Sequence, residues 1–513
     1  MGLQISSKNV DSLKNMLLTP SALILTSILG LSFLLRIVYL GDAPFWKTEL
    51  YQSWAARNFL EGSGFTLPSG DFYSRALVTN TFPTVLSFIL FGYTEFAARL
   101  PSLLFSLASV VIIFLIGKEL FDTDYGLISA AMLAFSFWSI TWGTQARMYA
   151  HLQFFYLLAV LLFYKWYEQD FIFGSRYLVS LIFVSALGVH THILFSSFFL
   201  MAGIWVLFLL IHDFFLVHDL NPSSIRKIRV LAVFSLGIYT YISVFGIPSW
   251  FLGYSPDWYN HYRGFLYYSK WLNSYVNFMF LFVSGLVLSF VDRDSFIPVL
   301  SFLPAFIFLS VFFSFKEPRF IFHIYPFFLM VASLPIYYVY RFILGLGLLT
   351  AESLIFLTII FSVLIFQAPW VTFTDMGDNS HGMIGEQPNH RGPASYLMDK
   401  GFQDQVVIST EPIKSQWYLK DKNSVDYSIN SLNKDVDNSG ELIDSETGVK
   451  MINNTEEFQN IVDKNKGWII ASEKNLREKV DPSIHSEIQN SRLYQEKKKW
   501  GNTKIIGFNQ AQR

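Results

Sequence analysis

The chain has 513 residues, of which 52% are hydrophobic and 18% aromatic, with a formal net charge of -1. That composition is too apolar for an ordinary water-soluble globule, and near-zero charge with no basic stripe gives no footing for nucleic acid. The absence of cysteine excludes thiol catalysis, disulfides and cysteine-ligated metal.

Apolar residues fall in long runs between Ser21 and Trp370, several near the roughly 18 to 20 residues that cross a bilayer as helix. Residues 1–20 are polar and carry Lys8 and Lys14; Ser21–Leu40 has no small-residue cleavage site and reads as a retained first helix. The later runs predict spans at Pro101–Gly117, Gly126–Trp142, Tyr149–Tyr167, Tyr177–Val189, Ile193–Ile211, Val230–Phe245, Trp271–Phe290, Phe296–Phe313, Phe320–Tyr340 and Phe342–Phe366, about eleven in all. The split at His190, Thr191 and His192 follows because Tyr177–Ile211 is too long for one helix. Phe82–Phe91 is too short to span and is expected in the interface.

Tyr39, Trp46, Trp142 and Trp250 sit where apolar runs give way to polar residues, as an aromatic belt requires. With the N terminus inside, short inner loops hold charges such as Lys118, Lys165, Arg226 and Arg341. Two long outer loops, Gly41–Arg99 and Trp250–Lys270, mix charges with Trp, Tyr, His, Asp and Glu. From Asp375 the chain turns polar but keeps β-like runs at Val406–Ile408, Gly467–Ala471 and Lys504–Phe508. This predicts a small soluble α/β or α+β domain over residues 371–513, with a disordered-looking insert around Asn430–Thr447. The fold class is thus an all-α polytopic membrane region over residues 21–370 followed by that domain.

The first outer loop is the richest stretch. It runs Asp42, Ala43, Pro44, Phe45, Trp46, Lys47, Thr48, Glu49, then a Gly-containing segment through Asp71, Tyr73 and Arg75 to Phe82 and Pro83, and ends in Arg99, Leu100, Pro101, Ser102. With Gly117–Phe121, the Gln145–Tyr149 segment and Glu317, Pro318, Arg319, Phe320 with Pro326, the order resembles the GT-C superfamily of polytopic glycosyltransferases. The resemblance is to its protein-mannosyltransferase and aminoarabinose-transferase-like branch. One position departs: the family's Asp-Glu pair, whose Asp is the expected general base, reads Thr48-Glu49 here.

The resemblance implies a membrane glycosyltransferase, a hexosyl- or pentosyltransferase. It would take a sugar from a polyprenyl-phosphate donor to a protein, glycan or lipid acceptor, by inverting displacement, at the extracytoplasmic face of the cell membrane. The tail would lie on that same side. The acceptor then needs a carboxylate base, for which Glu49 fits the motif spacing, with Asp42 and Asp71 as alternatives. The departing phosphate needs cations: Arg147 and Arg319 first, Arg75 and Lys47 behind, with His323 sharing the helix face of Arg319. Tyr73, Tyr149, Trp258, Tyr259 and His261 are candidates to stack on sugar or acceptor. No cofactor is implied with certainty; a divalent metal is left open, the His190/His192 pair lacking a third ligand. Asn453, Asn454 and Thr455 form a glycosylation sequon in the tail, of the kind that arises by chance. The competing readings are a transporter or flippase, and an inactive GT-C-like scaffold in which Thr48 marks the lost base.

Overall fold

The computed structural model describes residues 19–38, 40–214, 222–245, 266–270, 272, 278–290, 295–312, 316–347, 350, 389–421, 423–437, 439–490 and 494–509. Two compact units emerge. The first comprises residues 1–39 and 102–372, and the second residues 40–101 and 373–513.

The first unit is helical. Helix α1 (Pro20–Ile37) starts at Thr19, whose hydroxyl accepts from Ala22 N at 3.3 Å, with Pro20 at the first helical position. From the second unit the chain enters through two helices whose ranges are needed here for numbering, α2 (Lys47–Leu60) and α3 (Phe82–Phe91), and then α4 (Glu95–Leu120), whose 26 residues carry it into the first unit. Asp122 caps α5 (Thr123–Phe135) by accepting from Tyr125 N at 2.9 Å. Then come α6 (Phe137–Gly143), α7 (Tyr149–Glu168), α8 (Arg176–Thr191), α9 (Ser197–His212), α10 (Pro222–Phe245), α11 (Met279–Leu288), α12 (Phe296–Phe312) and α13 (Tyr325–Gly345). Among the described residues, α1, α4, the stretch Ile193–Ile211 and α13 are long and apolar enough to cross a membrane, and the bent α5–α6 pair adds a fifth if counted as one span. The chain is a multi-pass membrane protein, mostly helical, as the hydropathy pattern predicts.

The expected break at His190–His192 is present. Helix α8 ends at Thr191, His192 is extended, and its Nδ1 accepts from Leu194 N at 3.1 Å to start the next turn. Three expected spans differ from what forms. Gly126–Trp142 is not one helix: Ser136 is extended (φ -62°, ψ 123°), and α5 and α6 bend by 62° there. Helix breaks need new partners for released backbone groups, and buried Arg36 supplies one, its Nη1 donating to Ala134 O at 2.9 Å while Nε reaches Ser106 Oγ and Nη2 reaches Ser139 Oγ, both at 3.1 Å. The span placed at Phe320–Tyr340 is displaced: Pro318–Ile321 is a 3-10 turn, and α13 begins only at Tyr325, with Pro326 in its first turn where a missing N–H costs nothing. Because α13 runs through Arg341 to Gly345, the start placed for the last span at Phe342 is its C-terminal turn instead.

In the second unit, α2 and α3 join the tail. Phe82–Phe91 forms a helix too short to cross a bilayer, with Leu86, Ile89 and Leu90 exposed. The tail contributes α14 (Arg391–Lys400), β1 (Val406–Ser409), α15 (Pro412–Leu419), β2 (Tyr427–Ser428), β3 (Lys434–Val436), β4 (Leu442–Asp444), β5 (Lys450–Met451), α16 (Thr455–Lys464), β6 (Gly467–Ser472), α17 (Glu473–Glu478), α18 (Pro482–Asn490), β7 (Tyr494–Trp500) and β8 (Thr503–Phe508). The sheet order is β3-β4-β5-β2-β1-β6-β8-β7, parallel from β5 to β6 and antiparallel at both flanks. Ile408, Phe458, Val462, Ile469, Ile484 and Phe508 fill its core. The stretch expected to be a disordered insert is instead the β3–β4 hairpin, closed where Asp437 Oδ1 accepts from Ser439 N and Glu441 N at 2.9 Å each. Its polar composition reflects turn chemistry and a solvated face.

Candidate active site

In the second unit, the first loop and the tail share a core. Trp54 and Phe45 each meet the Trp417 ring edge-on at 5.3 Å, Trp54 Nε1 donates to Ile413 O at 3.2 Å, and Phe45 N donates to Tyr418 Oη at 2.7 Å. Glu95 accepts from Tyr418 Oη at 2.8 Å and pairs with Arg391. This packing fixes the start of α2, where the Thr48-Glu49 pair lies.

Glu49 is 1% exposed and its carboxylate faces Arg99 in a two-pronged pair, Nε to Oε1 and Nη2 to Oε2 at 2.9 Å each. Its Oε2 also accepts from Trp46 N at 2.8 Å, capping the helix. Arg99 spends its remaining donors on Leu40 O, Ala43 O and Pro44 O. The neighbouring Thr48 hydroxyl is buried and has no hydrogen-bond partner among the described residues. One helical turn on, Gln52 Oε1 accepts from Asn80 Nδ2. Asn80 sits in a π-helical turn, Leu77–Thr81, that opens at Ala76, a non-glycine residue held at φ 49°. Such wide turns and left-handed residues gather at functional sites.

The other predicted residues of this unit lie outside that cluster. Asp42 is exposed, and its backbone carbonyl, not its carboxylate, accepts from Arg391. Asp71 is exposed and accepts from Ser69 Oγ at 2.8 Å. Lys47 pairs with Glu446 at 2.8 Å, Arg75 is exposed, and Tyr73 tilts toward Tyr51 with ring centroids 6.4 Å apart.

In the first unit, Arg147 precedes α7, its backbone carbonyl taken by Ser102 Oγ at 3.2 Å and its guanidinium over the Tyr149 ring at 5.5 Å. No carboxylate pairs with it among the described residues. Tyr149 is buried, edge-on to Trp142 at 5.0 Å. Arg319 lies 3.6 Å from Glu317, and its Nε is buried without a described partner. The helical face expected for Arg319 and His323 does not form, because the two residues belong to a 3-10 turn and the turn after it. His323 is fully buried, 3.0 Å from Ser197 Oγ and edge-on to Tyr156. Trp258, Tyr259 and His261 lie outside the described residues.

Residues 81–239 match the family described as dolichyl-phosphate-mannose-protein mannosyltransferase. The comparison with curated proteins gave no match. By structure, the chain is similar to ArnT from Cupriavidus metallidurans bound to undecaprenyl phosphate, at a TM-score of 0.57 and 12% identity, over 94% of this chain and 97% of that one. The apo form of the same protein gives 0.55 at 12% identity, over the same shares of the two chains. The oligosaccharyltransferase of Archaeoglobus fulgidus, solved with Zn and sulfate, gives 0.50 at 11% identity, over 88% of this chain and 68% of that chain. The chain has the GT-C glycosyltransferase fold. Over residues 81–239 it is similar to the protein-mannosyltransferase family, and its fold is similar to that of ArnT.

The tail carries a charge cluster of its own at the carboxyl end of β1. Glu411 lies 3.0 Å from Lys414, 3.4 Å from His390 and 3.7 Å from Lys479. Burial pushes the Glu411 carboxyl up, but Lys414, His390 and Lys479 outweigh it and hold it well below the usual carboxylate range. Burial lowers His390, against the pull of Glu411. Among the described residues, no group of three or more His, Cys, Asp or Glu side chains is placed to hold a metal ion. Sequence reasoning does not single out Gln52, Asn80 or Thr81, and treats Arg99 only as part of a motif. The available signals were the four-residue spacing from Thr48 to Gln52 and the Asn-Thr step before Phe82 and Pro83.

Proposed function

We propose that this chain is a membrane glycosyltransferase that transfers a sugar from a polyprenyl-phosphate carrier to a protein, glycan or lipid acceptor at the extracytoplasmic face of the cell membrane. The observation that carries the reading is a GT-C fold in which the Arg147 guanidinium, at the mouth of α7, has no carboxylate to neutralise it among the described residues. A cation placed so serves an anion supplied from outside, and the leaving group of such a donor is a phosphate. Arg319 is the second cation for this task. In the reaction, the bond from the anomeric carbon to the phosphate oxygen breaks and its electron pair leaves with the phosphate. The acceptor heteroatom bonds to that carbon from the opposite face, inverting it, and its proton passes to a carboxylate.

Glu49 is proposed as the residue that orders the first loop. Its carboxylate is engaged by Arg99 on both oxygens and by Trp46 N, so it orders the N-terminus of α2 better than it accepts a proton. Asp42 and Asp71 keep carboxylate lone pairs open and are the bases to test. The experiment is transfer from radiolabelled polyprenyl-phosphate sugars to a membrane extract, comparing the intact chain with Arg147→Gln, Asp42→Asn and Asp71→Asn at matched expression. Transfer that collapses in Arg147→Gln and in one of the Asp variants is expected. No transfer by the intact chain with any donor would refute the enzyme and favour a flippase or scaffold.

A further inference from the structure

We propose that Thr48, Gln52, Asn80 and Thr81 form a subsite for an uncharged sugar ring, selecting it over rings that carry an amine or a carboxylate. This rests on the glycosyltransferase reading and names the chemical class of its sugar. Gln52 and Asn80 are each 1% exposed and Thr81 is fully buried. The bond from Asn80 Nδ2 to Gln52 Oε1 is the one they share. It leaves Gln52 Nε2, Asn80 Oδ1 and the hydroxyls of Thr48 and Thr81 without partners among the described residues, together with the indole N–H of Trp46.

Native structures leave few buried polar atoms unpaired, so this group on neighbouring stretches of α2 and the π-helical turn points to a ligand. Its valences define the ligand. Gln52 Nε2 and Trp46 Nε1 only donate, Asn80 Oδ1 only accepts, and the threonine hydroxyls do either. Reversing both amides exchanges the roles of Gln52 and Asn80 and keeps the balance. Sugar hydroxyls, which donate and accept, meet all of these at once. An ammonium group would need a carboxylate, and Glu49 is spent on Arg99 and Trp46 N. A sugar carboxylate would need a cation, and Arg99 and Lys47 are already paired. Thr48, standing where the resemblance places an acid, adds no charge to the cluster, and the carboxylates of Asp42 and Asp71 are exposed outside it.

The test measures binding to the purified full chain by thermal shift and competition. The probes are short-chain polyprenyl phosphates carrying mannose, 4-amino-4-deoxyarabinose or glucuronic acid, the unglycosylated phosphate, and a free neutral oligosaccharide. Mannose is expected to bind at least about tenfold tighter than the two charged sugars. Asn80→Asp is expected to reverse the order toward the amino sugar, with Gln52→Glu as the second variant should the first fail to fold. Displacement of the mannosyl lipid by the oligosaccharide would assign the ring to the acceptor; its absence assigns it to the donor. Equal binding of the three glycosylated lipids, no gain over the bare phosphate, or an order unmoved in both variants would overturn the proposal. Selective mannose binding without transfer to any acceptor would instead overturn the enzyme reading and leave the subsite standing.

Discussion

Replacing Glu49 by Gln separates its structural role from a chemical one. The side chains of Glu49 and Arg99 are 1% and 6% exposed, so the substitution strands a guanidinium in the interior. Breaking a buried pair from one side costs about 3 to 5 kcal/mol. The carbonyls of Leu40, Ala43 and Pro44 already hold part of Arg99, which puts the expectation near about 3 kcal/mol. The glutamine carbonyl can serve Arg99 or Trp46 N but not both, so losing the helix cap adds about 1 kcal/mol. For a unit of this size that is a fall in Tm on the order of 8 to 15 °C. The assay is thermal unfolding of the purified chain at one scan rate, for Glu49→Gln, Arg99→Met and the double variant. The double variant should recover part of the loss, giving a coupling of about 2 kcal/mol or more. An unchanged Tm in Glu49→Gln with transfer abolished would refute this reasoning and make Glu49 the base.

Arg147→Gln should raise the donor KM while leaving Tm unchanged, read from initial rates against donor concentration. Arg36→Met should lower detergent-solubilised yield and Tm, and Arg36→Lys should not rescue it, because the bonds to Ser106, Ala134 and Ser139 need the guanidinium fork. Gly285→Ala should destabilise by about 1 to 3 kcal/mol or more, since its Cβ would fall 1.9 Å from Val331 O where α11 crosses α13; a melting curve checks it. The contribution of the His390–Glu411 pair to the pH response of the tail has a definite sign. His390 and Glu411 are both held below their ordinary values of 6.5 and 4.5, so the unfolded chain binds more protons on acidification. The contribution of these two groups should be full above 6.5 and fall as pH drops through the two ordinary values toward the depressed ones; the difference between melting curves of the intact chain and Glu411→Gln across that range should show the lower part of that fall.

What the sequence makes legible is what is written locally. The apolar runs, the break at His190–His192 and the short apolar stretch at Phe82–Phe91 depend on residues within a few turns of one another. The bend at Ser136 does not: no Pro or Gly announces it, and the partners that accept it, Arg36 and Tyr325, lie far away in sequence. The β3–β4 hairpin was hidden for a related reason, its short polar strands being held by register and turn rather than by apolar alternation. At the site, the Thr48-Glu49 step was visible and the grip of Arg99 on Glu49 was not. Composition shows which groups exist and says nothing of which lone pairs are already taken.

The sharing of one core by residues 40–101 and 373–513 also sets an order of events during synthesis. The first loop leaves the ribosome well before its partners, Glu95 coming 296 residues ahead of Arg391 and Phe45 coming 373 ahead of Tyr418. Throughout insertion of the intervening helices it must wait as an unfinished half, with its aromatic side chains uncovered. A nonsense mutation late in the gene would thus strike the opposite end of the polypeptide.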